Sequence, residues 1–204
     1  MKSKHQEDLS HIRSMMERSS RFISLSGLSG IFAGTFAIIG GLRAYQLLGA
    51  NGIDYVDGNS NRQNENVVNE LFFTACVVLI LALTSGIYFT LRKSRKYNIP
   101  VWTTATKKML LNLSIPLIVG GVFCIALIVY KIYFLIAPAS LLFYGLALIN
   151  AEQYTFSDVK YLGISEIVLG CIALFLLGYG LIFWLIGFGV LHILYGLIMY
   201  KKYK

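Results

Sequence analysis

Apolar residues along this chain fall into long runs separated by short polar links, and a run of about 20 such residues is what one bilayer crossing needs. Runs at about 22–42, 71–91, 109–130, 132–150, 161–177 and 181–200 fit that requirement. The pattern predicts an all-α, polytopic membrane protein: one transmembrane domain over 1–204, six transmembrane helices, and residues 1–21 as a cytoplasmic leader. The clearest stretch is Tyr161 to Tyr200, too long for one crossing and broken near its middle at Gly178-Tyr179-Gly180. Such a break reads as the turn of a helical hairpin.

In the leader, Leu9, Ile12 and Met16 recur at helical spacing beside Lys4, Arg13 and Arg18, which fits either a short interfacial helix or a charged segment that fixes orientation. The first span is expected to be retained, because the run before it lacks the form of a secretory signal. On that span Ser26, Gly30 and Gly34 fall four apart on one face, and small faces let helix backbones approach closely. Residues 43–69 are rich in turn formers and read as the one sizeable loop outside the membrane. Pro116 and Pro138 stand where a membrane helix can kink, and Ser157 or Asp158 is placed to cap the helix of the closing hairpin.

The inner ends of the spans resemble one another. Ser24-Leu25-Ser26, Asn112-Leu113-Ser114 and Gly163-Ile164-Ser165 open the odd spans, while Ser85-Gly86-Ile87, Tyr144-Gly145-Leu146 and Tyr195-Gly196-Leu197 recur in the even ones. This suggests three repeated helical hairpins.

Composition and charge narrow the function classes. With 204 residues, 56% hydrophobic, and a mean hydropathy of +0.66, the chain has no room for a soluble domain beside its spans. The formal charge of +8 would suggest nucleic acid in a soluble protein, but here the basic residues flank apolar runs. That distribution sets membrane orientation instead. With both ends inside, only Arg43, Arg62 and Lys131 of the eighteen Lys and Arg residues lie outside. The expected location is a bacterial inner membrane, N-in and C-in, with the lipid bilayer as partner and no nucleic acid. Cys76, Cys124 and Cys171 lack metal-ligand or redox spacing, and no HExxH, paired intramembrane aspartates or phosphate loop occurs, so no catalytic residue, cofactor or metal is expected.

Two ionisable residues interrupt the closing hairpin. Glu166 and His192 lie thirteen residues before and after Tyr179, so a turn there brings them to the same depth. Ionisable groups at such depth are costly and face protein or water. The pair suits a proton shuttle or cation site; equally, it suits a buried hydrogen bond that locks the hairpin, or a Glu166 that snorkels to the cytoplasm.

Two resemblances complete the picture. Gly27-Leu28-Ser29-Gly30 resembles the nucleophile motif of rhomboid intramembrane proteases, but it sits on the first span rather than the fourth and lacks their histidine-containing oxyanion motif. The stretches Arg13 to Gly30 and Tyr154 to Gly163 are similar to a family of uncharacterised bacterial inner-membrane proteins, a resemblance that implies location and span count only. The leading expectation is a non-enzymatic membrane protein that packs with itself, as a homo-oligomer, or with a partner membrane protein, sensing or regulating from its basic cytoplasmic face. The alternative is a small proton- or ion-linked transporter or channel using Glu166 and His192. An intramembrane hydrolase is the third choice. A water-accessible path to Glu166 separates the first two.

Overall fold

The structure, a computed structural model, describes residues 26–50, 65–98 and 100–202. The leader and the middle of the 43–69 segment lie outside the described residues, as does the expectation of an interfacial helix around Leu9, Ile12 and Met16. Among the described residues every regular element is helical: α1 (Gly27–Ala50), α2 (Glu65–Tyr97), α3 (Thr104–Val129), α4 (Ile136–Glu152), α5 (Asp158–Phe175) and α6 (Leu177–Lys202). A 3-10 turn, Tyr133–Leu135, leads into α4. Within α6 a 3-10 turn at Leu177–Tyr179 is followed by α-helix at Gly180–Trp184, π-helix at Leu185–Leu191 and α-helix at His192–Lys202.

Five of these helices are long and apolar enough to cross a membrane: α1, α2, α3, α4 with its 3-10 lead-in, and α6. The protein is thus a helical membrane protein. Helix α5 has 18 residues and carries Asp158, Lys160 and Glu166, which keeps it out of that set.

Several boundaries differ from the hydropathy pattern, and the reason is that hydropathy marks the lipid-soluble part of a helix rather than its hydrogen-bonded length. Helix α1 continues past Leu42 to Ala50, and α2 already begins at Glu65, so the outside loop is shorter than 43–69. The basic run Arg92 to Lys96 lies at the end of α2, with Arg95 and Lys96 in the last turn, where cations favour the negative end of the helix dipole. Between α1 and α2, Arg43 lies 3.6 Å from Glu70, with both side chains more than half exposed, so the pair contributes little.

Caps and turns follow local chemistry. Thr103 and Thr106 form a reciprocal capping box at the start of α3. Asn98 ends α2 and Lys131 turns α3 into α4, both with positive φ (50° and 58°). Pro138 falls in the first turn of α4, where no backbone donor is lost, so it starts that helix rather than kinking it. Ser157 stands at the N-cap of α5 without a side-chain capping bond, and Asp158 instead accepts two hydrogen bonds from Lys202 at 2.9 and 3.0 Å.

Helix packing divides into two groups. In one, α1 lies between α2 and α6; in the other, α4 lies between α3 and α5. Glycines make the closest approaches. A Cβ on Gly27 would meet the backbone of Gly196 and Tyr200, one on Gly34 the carbonyl of Gly189, and one on Gly196 the carbonyl of Gly27. Between α4 and α5, Gly145 and Gly163 each face the other's carbonyl. Gly86, the counterpart of Gly145 and Gly196 in the proposed hairpin repeat, faces open space, so the three glycines do not share one packing role. Consecutive helices α2 and α3 have no extended contact with each other, and none of the apolar window of α2 is buried. The two groups meet where α6 packs on α4 and α5, and the bundle is open between α2 and α3.

Candidate functional site

The site forms where α5 passes the π-helical turn of α6. An α-helix directs each N–H to the carbonyl four residues back, whereas a π turn is one residue wider, and such turns recur at functional positions. Here the widened turn contains Gly187 and Gly189, both buried. Lacking a side chain, Gly187 leaves room for the carboxyl of Glu166, whose Oε2 lies where a Gly187 Cβ would stand. Leu141 of α4, itself fully buried, closes the same space.

Glu166 is 0% exposed and His192 7% exposed. The structure brings the two together, with His192 Nδ1 3.5 Å from Glu166 Oε1. Nδ1 is also 3.0 Å from the carbonyl oxygen of Gly187, and Nε2 is 2.8 Å from the hydroxyl of Tyr144 on α4. A carbonyl only accepts, so the geometry gives Nδ1 the proton. In neutral His192 the bare Nε2 then accepts from Tyr144 O–H. Neither carboxyl oxygen of Glu166 has a hydrogen-bond partner among the described residues.

Aromatic rings hold the imidazole in place. Phe188 stacks on His192 at 5.9 Å between centroids, and the Tyr144 and Trp184 rings lie 5.0 and 5.1 Å from Phe188. This wall faces a cavity of about 530 Å³ between the two helix groups. Tyr144, Phe188 and His192 line it on one side; Leu79, Leu83 and Gly86 of α2 face Leu117 and Gly121 of α3 on the other. Glu166 does not reach the cavity, because His192 and Tyr144 stand between them. A smaller cavity of about 220 Å³ lies toward the opposite end of α2.

The remaining candidates fall elsewhere. Gly30 and Gly34 face α6, and Ser26 immediately precedes α1. Ser29 lines the cavity, but its hydroxyl donates to the Ser26 carbonyl, while both ring nitrogens of His192 are engaged by Gly187 and Tyr144. The structure therefore gives Ser29 no general base among the described residues. The three cysteines are free, and no cluster of metal-ligating side chains occurs among the described residues.

In the sequence Tyr144 stands out only as part of a repeated Tyr-Gly-Leu triplet, which gives its hydroxyl no role. The π turn is not legible there either, and the closely spaced Gly187 and Gly189 are its one signal. Comparison with protein-family models, curated proteins and solved structures found no match.

Proposed function

We propose that the chain is a small proton-linked transporter of the bacterial inner membrane, with α5 as a sixth span and both ends in the cytoplasm. The bias of basic residues supports that orientation. One observation carries the functional reading: neither of the two cavities reaches Glu166 directly, but the chain Tyr144, His192, Glu166 links a cavity wall to that buried carboxyl, which has no hydrogen-bond partner among the described residues. Packing through Gly30 and Gly34 accounts for how α1 and α6 meet but not for a buried carboxyl, which is kept at a cost to stability.

The relay works in balanced steps. A proton arriving from the cavity side reaches Tyr144, whose own proton passes to Nε2. The Nδ1 proton leaves the Gly187 carbonyl and crosses the 3.5 Å gap to Oε1 of Glu166. Tyr144 is then a neutral phenol and His192 a neutral imidazole as before, while the carboxylate has become a carboxylic acid. Release of that proton to the opposite side, and return of the imidazole to its Nδ1–H tautomer, complete the cycle. Neutralising the buried carboxylate as a molecule occupies the cavity would link the two events.

The test is proton entry into reconstituted vesicles that trap a pH-sensitive dye, under an imposed pH gradient with potassium and valinomycin to remove the electrical potential. Vesicles with the wild-type protein should acidify several-fold faster than empty ones, and Glu166→Gln should return the rate to that of empty vesicles. Equal rates for wild type and Glu166→Gln would reject the relay.

A further inference from the structure

The two cavities share Ala75 and Val78 of α2 and Trp184 of α6, so they adjoin end to end as a furrow in two parts along α2. Its lining runs on α2 from Val68 to Gly86, eighteen steps along the helix, which at 1.5 Å per residue is about 27 Å. The hydrocarbon core of a bilayer is about 30 Å thick. A furrow of that length crosses nearly all of it.

Its walls exclude some occupants and fit others. Small residues on three helices, among them Ala33 and Ala37 on α1, Ala82 on α2 and Gly121 on α3, make the space, and most other lining residues are apolar. A hydrated ion or sugar would find few partners there. Because α2 and α3 do not pack on each other, the furrow opens sideways, and their exposed Leu83, Ile87, Ile118 and Val122 mark helix surfaces that face lipid. At the inner end the lining becomes more polar, with Tyr195 and Thr155. There Lys93 of α2 reaches over the ring of Phe156, 5.9 Å from its centroid, in a segment that also carries Arg92, Arg95 and Lys96.

We infer that the furrow takes a hydrocarbon chain of an anionic phospholipid, entering sideways between α2 and α3 with its head group at the basic inner end. The inference rests on reading the cavity as the transporter's substrate site, and it names the class of molecule. The apolar walls accept the chain, the lateral opening admits it from the bilayer without crossing water, and the basic run complements an anionic head. Tyr144 and His192 then stand beside the chain rather than beside the head group, so a filled furrow excludes the water that brings a proton to Tyr144 and an empty one admits it.

Trp184 lies where the cavities join and reports on the occupant directly. In a Trp102→Phe variant it is the remaining tryptophan, and phospholipids brominated in mid-chain quench tryptophan on contact. Reconstituted into vesicles, this protein should be quenched several-fold more by brominated phosphatidylglycerol than by brominated phosphatidylcholine at equal lipid content. Gly121→Phe and Gly86→Phe add rings where a Cβ meets nothing within 4 Å, so they fill the furrow without a collision at that atom. Either variant that retains the wild-type melting temperature should lose the extra quenching. Quenching unchanged in such filled variants, or absent in the unfilled protein, would overturn the site; equal quenching by the two lipids would overturn the anionic preference. Proton entry reads the relay and quenching reads lipid binding, so the failure of one is distinguished from the failure of the other.

Discussion

Gly187 and Glu166 occupy one shared space: the carboxyl oxygen Oε2 lies where any side chain on Gly187 would begin. Replacing Gly187 by Ala should therefore destabilise the fold by about 1–3 kcal/mol, the usual cost of overpacking a fitted interior. Shortening the other partner relieves the collision, so Gly187→Ala with Glu166→Ala should be less destabilised than the sum of the single changes. Thermal unfolding of the four proteins in detergent measures the coupling. Strict additivity would mean that the two residues do not share this space.

The tautomer of His192 is a second expected outcome. Nitrogen NMR of labelled protein at neutral pH should show Nδ1 protonated and Nε2 bare, because Gly187 offers only a carbonyl to Nδ1. Tyr144→Phe should shift the Nε2 resonance and lower stability by about 0.6 kcal/mol, typical of one hydrogen bond between membrane helices. A proton found on Nε2 of the neutral ring would contradict the arrangement.

Glycine substitutions distinguish contact from open space. Gly34→Ala and Gly196→Ala drive a methyl group into the backbone of the facing helix, and each should lower the melting temperature in detergent. Gly121→Ala meets nothing within 4 Å and should hold or raise it, since Ala favours a helix over Gly by up to about 1 kcal/mol. Equal losses at all three positions would show that the α1–α6 contact is not what the glycines serve.

Orientation is tested by labelling single cysteines in a variant that lacks the native three. Lys107, Lys131 and Tyr179 are exposed and suit replacement. An impermeant maleimide added to intact cells should label Lys131→Cys and Tyr179→Cys, and label Lys107→Cys only after permeabilisation. Protection of Tyr179→Cys would mean that α5 does not cross the membrane.

By itself the sequence determined that this is a chain of membrane helices, because unbroken apolar runs have few other uses, and it located the turn at Tyr179 through its flanking glycines. It also marked Glu166 and His192, since charge inside an apolar run is visible without knowing any contact, and the hairpin symmetry matched their depths. Tertiary structure alone decided which faces meet. Hydropathy scarcely distinguishes a residue against lipid from one against another helix, so Gly34, in contact with α6, and Gly86, facing the cavity, read alike in sequence. The widened turn at Leu185–Leu191 depends on backbone hydrogen bonding that composition does not encode, yet it aims His192 Nδ1 at Gly187 and Glu166. Tyr144 joins the site from a separate helix, 48 residues away along the chain, brought there by the packing of α4 on α5 and of both against α6.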